Sequence, residues 1–217
     1  MVKDKLAFIQ KQIPETVTLV AVSKTQPISA IQEAYNFGQR VFGENKVQEL
    51  TDKYPLLPKD IKWHVIGHLQ TNKVKYIAPF VALIHSVDSL KLLQEINKQA
   101  LNNERTIDCL LQFHVAQEET KFGLSIEEAQ EFLDSIDFAL LKNIRIVGIM
   151  GMASFSSNSK QVRGEFKTLK SIYDQLKSDY FSTEDSFKEI SMGMSGDFQL
   201  AIEEGSTMVR VGSSIFN

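Results

Sequence analysis

Short runs of β-branched residues alternate with longer segments of helical spacing along the chain, and this alternation constrains the fold more than any other feature. Several of the runs are almost entirely apolar, as expected for parallel strands that are covered on both faces. The pattern predicts strands at residues 18–24, 40–44, 62–67, 83–87, 108–115, 145–150, 187–192 and 208–212. It predicts helices at residues 28–38, 45–53, 71–78, 89–101, 126–136, 160–178 and 197–204.

Eight strands with only seven helices between them indicate that one helix of the outer ring must come from elsewhere. Residues 3–12 carry Leu6 and Ile9 at helical spacing and would fill that gap as a leading N-terminal helix. Eight parallel strands inside a ring of helices are the (β/α)8 or TIM barrel of the α/β class. We expect one domain over residues 1–217, because barrels of this length fold as a single unit. A doubly wound open sheet is the alternative that the same alternation allows.

Capping residues support individual helix boundaries. Ser125 precedes "IEEAQEFL" and has Glu128 at capping-box spacing. Ser29 is expected to cap the helix before "AIQEAYNFG", with Gly38 just past the end of that helix. These signals place both helices to within a few residues.

Composition argues against several classes of function. The formal net charge of −3 gives no electrostatic reason to expect a nucleic acid or an anionic membrane surface as partner. No apolar run approaches the roughly 20 residues that a membrane-spanning helix needs. The single cysteine, Cys109, cannot form an internal disulfide, and the amphipathic start does not resemble a secretory signal. We therefore expect a cytoplasmic protein.

Two loops rich in glycine and serine follow strands seven and eight, where barrels of this class commonly bind phosphate. The first loop contains Ser191, Gly193, Ser195 and Gly196, and the second contains Gly212, Ser213 and Ser214. Small residues in such loops expose backbone N–H groups that can hold a phosphate. Either loop alone could be an ordinary turn, but two of them on neighbouring strands favour a phosphate site.

Lys24 ends the first strand, in "TLVAVSKT", and strand one would close against strand eight beside these loops. A lysine at this place could pair with the phosphate directly. It could instead form a Schiff base with a carbonyl compound whose phosphate is anchored nearby, and burial in an apolar mouth would favour the neutral amine that this reaction needs. The residues by themselves leave both roles open.

Five blocks of sequence together resemble the pyridoxal phosphate homeostasis protein family. They are "VAVSKT", "GQRVFGENKVQE", "WHVIGHLQTNK", "HSVDS" and "SMGMSGDFQLAIEEGSTMVRVGSSIF", and the resemblance runs from about Leu19 to Phe216. It implies a barrel similar to the N-terminal domain of alanine racemase (fold type III of the pyridoxal phosphate proteins) without the second domain. It also implies that Lys24 forms a Schiff base with pyridoxal 5′-phosphate. The protein would be a carrier or buffer of this cofactor, and apoenzymes that need it could be acceptors.

The resemblance implies roles for further residues around Lys24. It matches Arg210 to the arginine that faces the pyridine nitrogen in racemase-like barrels, where a guanidinium disfavours ring protonation. Asn45, in "FGEN", is expected to contact the cofactor, while its neighbour Glu44 could hold a structural network. The residues expected to bind the phosphate are Ser191, Gly193, Ser195, Gly212 and Ser213.

The remaining unusual residues have structural interpretations. His64 and His68 are four residues apart along a strand and its loop, without a third ligand, so we expect no metal site. Met150 and Met152 could line the site or pack in the core. Lys121 lies on the loop after strand five and is expected to be a solvated charge. The polar loop 154–161 has no assigned role.

Two enzymes of different classes compete with the carrier interpretation. An amino-acid racemase that uses pyridoxal phosphate needs a second base on the opposite face of the substrate carbon, and no tyrosine or cysteine is identifiable as that base. A class I aldolase would use Lys24 without a cofactor and would be colourless, whereas a pyridoxal Schiff base is yellow. We therefore expect a monomeric carrier with no efficient turnover.

Overall fold

The eight strands form one closed parallel barrel in a computed structural model that describes residues 1–116 and 122–217. They are β1 Thr18–Val22, β2 Val41–Glu44, β3 Lys62–Val65, β4 Leu83–Val87, β5 Ile107–Phe113, β6 Ile144–Gly151, β7 Glu189–Met194 and β8 Met208–Val211. Each strand pairs with the next along the chain, and β8 closes on β1 with Met208 beside Thr18. This closing pair excludes the open doubly wound sheet and confirms the (β/α)8 prediction.

Helices surround the barrel. In the described residues they are α1 Val2–Gln10, α2 Ile28–Asn36, α3 Val47–Lys53, α4 Val74–Ile77, α5 Leu90–Asn102, α6 Ile126–Leu133, α7 Ile136–Ala139, α8 Ser159–Asp179, α9 Phe198–Glu203 and α10 Ser213–Phe216. Short 3-10 turns cover Tyr54–Leu56 and Thr71–Lys73. Within these described ranges, no helix combines the length and the apolar character needed to cross a bilayer.

The leading helix α1 completes the ring of helices, as the sequence predicts. It packs against α2 and α10, on either side of the place where β8 meets β1. Lys3 donates its backbone N–H to Glu33 Oε1 of α2 at 3.0 Å, and Lys5 Nζ donates to the backbone oxygen of Asn217. Leu6 and Ile9 are buried beneath the helix.

Some helix boundaries confirm the capping predictions and others do not. Ser125 and Glu128 form the predicted capping box, and Gly38 has the left-handed φ of 104° expected after a helix end. Ser29 does not cap α2, because that helix already begins at Ile28. The segment 126–136 is interrupted where Ser135 caps the short helix α7. The last helix, α10, was not predicted.

Apolar residues pack in two layers, one outside and one inside the strands. On β1, Leu19 and Ala21 belong to the outer layer beneath the helices, whereas Val20 belongs to the inner layer, as alternation along a strand requires. The buried members of the inner layer are Val20, Leu83, Leu110, Val147, Met150 and Met208. Pockets open at both ends of the barrel, on either side of this layer.

Candidate functional site

The carboxyl ends of the strands surround a pocket of about 660 Å³. This is the end of a (β/α)8 barrel at which ligands are usually bound. The pocket is lined by Val22, Lys24, Asn45, Ile66, Met152, Phe155, Met194, Ser195, Gly196, Asp197, Arg210, Gly212, Ser213 and Ser214. The structure therefore brings together six of the eight residues predicted for the site, and the exceptions are Ser191 and Gly193.

The loops after β7 and β8 present backbone N–H groups that have no acceptor among the described residues. These groups belong to Ser195, Gly196, Ser213 and Ser214. The two loops are joined, because Gly212 donates its N–H to Ser195 Oγ at 3.2 Å. The hydroxyl hydrogen of Ser195 is left for a ligand. Unpaired N–H donors in one pocket wall suit the oxygens of a phosphate.

Gly212 allows this wall to lie against the end of β1. A Cβ atom at Gly212 would be 3.0 Å from the backbone oxygen of Val22 and 3.1 Å from its Cβ. A Cβ atom at Gly196, in the neighbouring loop, would meet nothing within 4 Å. A side chain at Gly212 would therefore displace the strand that leads to Lys24, whereas one at Gly196 would not.

Ser191 and Gly193, both predicted to bind phosphate, lie away from this wall. Ser191 is fully buried inside the barrel, where its Oγ accepts a hydrogen bond from Arg210 Nη1 at 2.6 Å. Gly193 has a φ of 94°, and a Cβ there would be 2.6 Å from the Cβ of Ala201. The geometry connects Ser191 with the support of Arg210 and Gly193 with the packing of α9. Contact of Ser191 and Gly193 with a phosphate stays a prediction.

Arg210 is buried at the base of the pocket and is held from two sides. Nη1 donates to Ser191 Oγ at 2.6 Å and Nη2 donates to the backbone oxygen of Gly151 at 3.0 Å. Burial lowers the pKa of Arg210 to about 10, and the charge of Asp197 acts in the opposite direction. The guanidinium is therefore charged at neutral pH. It is a fixed cation with further N–H donors for an acceptor in the pocket.

Lys24 lies two residues beyond the end of β1, and its side chain is exposed. The sequence predicts Lys24 at the end of the strand itself, where burial in an apolar mouth would favour the neutral amine. The difference arises because β1 stops at Val22, whose side chain is the last of this strand to line the pocket. Lys24 thus reaches the pocket from a turn.

A buried ion-pair network holds this turn. Lys53 Nζ donates to Glu44 Oε1 at 2.7 Å, to Glu49 Oε1 at 2.6 Å and to the backbone oxygen of Ser23 at 2.7 Å. Ser23 Oγ donates to the same oxygen of Glu44 at 2.6 Å. Burial raises the pKa of Glu44, while the hydrogen bonds from Lys53 and Ser23 oppose that effect. The structural network expected for Glu44 is confirmed.

The residue after Lys24 has an unusual backbone conformation. Thr25 has a φ of 63°, in the left-handed region that non-glycine residues rarely adopt. Its backbone N–H donates to Glu49 Oε1 at 2.5 Å, the same oxygen that accepts from Lys53. Such a conformation persists where the surroundings over-determine it. The network therefore sets the path of the backbone on both sides of Lys24.

Several of these residues could not be recognised from the sequence. Lys53 and Glu49 are four residues apart on α3, a spacing that by itself indicates only an ordinary surface pair. Ile66 and Phe155 line the pocket, yet an apolar residue after a strand and one inside a polar loop carry no functional signal. Phe155 is 99% exposed, so the polar loop 154–161 places an aromatic side chain at the pocket mouth.

The histidines take different positions. His64 Nδ1 and His85 Nε2 are 2.9 Å apart inside the barrel, and burial lowers the pKa of His64 to about 3 and that of His85 well below its usual value. His68 lies outside, 3.3 Å from Asp88, and stacks on Phe122 at 4.3 Å. In the part of the chain that the structure describes, no group of three or more His, Cys, Asp and Glu residues could hold a metal ion.

Three other predicted residues have separate outcomes. Met150 is fully buried in the inner layer of the barrel, whereas Met152 lines the pocket. The two interpretations offered for this pair are therefore each correct for one residue. Lys121 lies outside the described residues.

The chain is similar in sequence to a family described as alanine racemase, N-terminal domain, which matches residues 2–217. It is 42% identical over 200 residues to the pyridoxal phosphate homeostasis protein of Aquifex aeolicus, and the match covers 91% of this chain and 85% of that relative. The human protein of the same name is 40% identical over 209 residues, with 91% and 75% covered.

Solved structures share this fold. PipY of Synechococcus elongatus, at 33% identity and with both chains fully covered, gives TM-scores of 0.93 without PLP and 0.89 with PLP bound. Alanine racemase of Clostridium difficile in complex with cycloserine gives a TM-score of 0.79. That match covers 99% of this chain and 58% of the racemase at 15% identity, and it shows the fold alone.

Proposed function

The chain belongs to the family of alanine racemase N-terminal domains and pyridoxal phosphate homeostasis proteins, and from this premise we propose that it binds pyridoxal 5′-phosphate and contributes to the homeostasis of that cofactor. One observation carries the proposal. Lys24, Arg210 and four unpaired backbone N–H groups lie around one pocket at the carboxyl end of the barrel. A relative with this fold, PipY, has been solved with PLP bound.

The residues of the pocket fit the chemical groups of this cofactor. The N–H groups of the loops after β7 and β8, with the hydroxyl of Ser195, are donors for the phosphate. The amine of Lys24 is the partner for the aldehyde, and we propose that the two are joined as a Schiff base. Asn45 and Met152 line the space left for the ring. When bound, the cofactor supplies a reactive carbonyl and an electron-withdrawing ring.

We propose that Arg210 faces the ring nitrogen. Its guanidinium is charged, buried and fixed by Ser191 and Gly151, so it would oppose the addition of a second positive charge to the ring. An unprotonated ring withdraws electrons less strongly. Arg210 would therefore suppress side reactions of a stored cofactor with amines.

The role of carrier is favoured over that of racemase. The relatives are named as homeostasis proteins. Among the described residues no tyrosine or cysteine lines the pocket, and burial raises the pKa of the one cysteine, Cys109. Lys24 could move a proton on one face of a substrate carbon, but racemisation needs a second base on the other face. We infer that the loaded protein exchanges its cofactor with amines and does not turn amino acids over efficiently.

Borohydride reduction of the loaded protein tests the cofactor assignment. The yellow protein should gain one pyridoxyl group, and peptide mass mapping should place it on Lys24. Lys24→Arg should abolish the labelling, and Lys98→Gln, a change at an exposed lysine of α5, should leave it intact. A pyridoxyl group on Lys73 or Lys121 would contradict the assignment, and a colourless protein would favour the aldolase alternative.

Incubation with amino acids tests the carrier role. The loaded protein with L-alanine or L-serine should show loss or exchange of cofactor, with racemisation and elimination near the rate of the free cofactor. Chiral chromatography of the amino acid measures racemisation. A turnover number in the ordinary enzyme range of roughly 1–1,000 per second would overturn the carrier interpretation.

A further inference from the structure

A second pocket, of about 580 Å³, opens at the opposite end of the barrel from Lys24. Every strand contributes its first or second residue to this amino-terminal pocket, as Lys62 of β3, Asp108 of β5 and Glu189 of β7 illustrate. Its inner walls are apolar, because Leu83 and Val147 of the inner layer form part of the lining. A concave site of this size, with apolar walls and a polar, charged rim, can hold a small molecule that has both kinds of surface.

The rim of the amino-terminal pocket carries a net positive charge. Asp108 accepts two hydrogen bonds from Arg145, at 2.7 and 3.0 Å, so these two charges cancel. Lys62 and Lys188 are exposed and make no ion pair with any described residue. Among the described residues that line the pocket, one further carboxylate faces these two ammonium groups, that of Glu189. One positive charge therefore remains at the rim.

His64 provides a polar group between the rim and the apolar walls. Its side chain is only 5% exposed and lines the amino-terminal pocket. Nδ1 is 2.9 Å from His85 Nε2, and among the described residues no hydrogen bond is formed by His64 Nε2. The charge of Lys62 is close enough to His64 to lower the pKa of the imidazole, in addition to the larger effect of burial. A buried, neutral imidazole thus has one nitrogen free for a ligand.

His64 begins a chain of hydrogen bonds that crosses the barrel. His64 Nδ1 and His85 Nε2 are 2.9 Å apart, and His85 Nδ1 is 3.0 Å from Ser191 Oγ. Ser191 Oγ accepts from Arg210 Nη1 at 2.6 Å. This chain of hydrogen bonds therefore connects the amino-terminal pocket with the base of the pocket at the carboxyl end of the barrel, which contains Lys24 and is called the Lys24 pocket below.

The hydrogen-bonding needs of the buried Ser191 hydroxyl determine which nitrogen of each histidine carries the proton. If His85 donated to Ser191, the serine oxygen would accept from both His85 and Arg210, and its own hydrogen would be buried without an acceptor among the described residues. Leaving such a donor unpaired is costly. If Ser191 instead donates to His85 Nδ1, every group is satisfied: His85 Nε2–H donates to His64 Nδ1. The remaining hydrogen of His64 is then on Nε2 and is available to the amino-terminal pocket.

We propose that the amino-terminal pocket binds a small organic carboxylate. The carboxylate accepts the hydrogen bond of His64 Nε2–H and faces the ammonium groups of Lys62 and Lys188. Its apolar body packs against Leu83 and Val147. A monoanion matches the single positive charge of the rim, and the apolar walls favour an organic body over a simple inorganic ion.

A carboxylate that accepts from His64 Nε2–H is compatible with the proton arrangement that Ser191 already sets in the free protein, in which Ser191 accepts from Arg210. The carboxylate site does not rest on the proposed function, since it requires no cofactor in the pocket around Lys24.

The test uses the cofactor-free protein labelled with 15N in its histidines, and benzoate and hexanoate as probes. Before any addition, long-range 1H–15N spectra should show His64 protonated at Nε2 and unprotonated at Nδ1. Each probe should shift the ring signals of His64 and His85 to saturation, with a dissociation constant of about 1 mM or tighter. Lys62→Gln and Lys188→Gln should each weaken binding about three-fold or more, because each removes a charged partner.

Two controls separate this site from other binding. Lys98→Gln removes an exposed lysine elsewhere, and Lys24→Gln removes the amine of the opposite pocket, and both should leave probe affinity unchanged. The absence of saturable shifts with both probes would overturn the proposal. So would equal affinity for inorganic phosphate, equal affinity after both Lys62 and Lys188 are replaced, or a probe response that depends on Lys24. Failure of borohydride to label Lys24 would overturn the proposed function and leave this site standing.

Discussion

The polar chain inside the barrel shows how single residues acquire unusual properties from their surroundings. His64 and His85 lie among apolar side chains, and burial disfavours their charged forms. Arg210 is buried to a similar degree, but it stays charged because its ordinary pKa is so much higher. The chain of hydrogen bonds therefore has a charged guanidinium at the Lys24 pocket and two neutral imidazole rings at the amino-terminal pocket.

The stability of the protein should fall as the pH is lowered below about 6.5, the ordinary pKa of histidine. The pKa of His64 is about 3 in the folded state, so between these values the unfolded chain binds a proton that the folded protein does not. Each such histidine should lower the free energy of unfolding by about 1.4 kcal/mol per pH unit, and its contribution is fully present only above about pH 6.5. Urea unfolding at a series of pH values measures this slope.

A matched pair of variants isolates the histidine contribution from that of the carboxylates. His64→Gln should make the slope shallower by about one proton. Gln94→Ala changes an exposed side chain of α5 that has no ionisable group and should leave the slope as it is. If both variants kept the parent slope, burial of neutral His64 would not control the acid stability.

At the scale of elements, the turn between β1 and α2 and the loop after β8 determine where Lys24 lies. The network of Lys53 with Glu44 and Glu49 holds the turn from below, and Gly212 allows the loop to lie against the last residue of β1. Neither the turn nor the loop is held by the backbone hydrogen bonds of a long helix or strand. Their geometry comes from buried contacts between segments that are far apart in the chain.

Lys53→Met should destabilise the protein strongly. The side chain of Lys53 is 8% exposed and its partner Glu44 is fully buried, so the change leaves a buried carboxylate without its cation. Breaking a buried pair in this way costs about 3–5 kcal/mol. Lys170→Met removes a partly exposed lysine that pairs with Asp174 four residues away on α8 and should cost less than about 1 kcal/mol. Urea unfolding measures both, and the double change with Glu44→Gln should recover part of the loss.

Gly212→Ala should weaken the binding of pyridoxal 5′-phosphate far more than Gly196→Ala. The added methyl group at Gly212 would press on Val22, at 3.0 Å from its backbone oxygen, whereas the one at Gly196 would enter open space. We expect a loss of about ten-fold or more for the first change, equivalent to about 1.4 kcal/mol, and little change for the second. Absorbance titration of the cofactor-free variants gives both affinities. Equal affinities would place the phosphate away from the loop after β8.

At the scale of the whole molecule, the closed barrel separates two layers of core and leaves a pocket at each end. Closure depends on β8 pairing with β1, and α1 covers that junction on the outside. The first and last helices are thereby joined through Lys5 and Asn217. The start of the chain is therefore part of the outer ring.

Leu6→Ala should lower the free energy of unfolding by about 2–5 kcal/mol, because Leu6 is fully buried between α1 and the barrel. Phe8→Ala removes a larger side chain from the same helix, but Phe8 is 67% exposed and its loss should cost well under 1 kcal/mol. Urea unfolding of the two variants compares them directly. A similar cost for both would mean that α1 does not seal the junction of β8 with β1.

The sequence by itself determined the eight strands, most of the helices around them and the capping box of Ser125 and Glu128. Its blocks also carry the resemblance that predicts a cofactor on Lys24. These signals are local, since hydrophobic period and capping depend on residues a few positions apart. The tertiary structure alone decided which side chains meet. The sequence predicts a phosphate contact for Ser191, and it carries no signal for the hydrogen bond that Ser191 accepts from Arg210 on the inward face of β7.

The hydrogen-bond chain inside the barrel and the ion-pair network of Lys53 both arise from contacts between distant segments. His64, His85, Ser191 and Arg210 come from β3, β4, β7 and β8, and they meet because alternation points them inward and the register of a closed barrel sets their heights. The sequence indicates an exposed lysine on α3. In the structure α3 packs beside the end of β2, and Lys53 donates to the buried Glu44. The hydrophobic period of a segment predicts which face of a helix or strand is buried. Only closure of the barrel, through pairing of the first strand with the last, decides what each buried side chain touches.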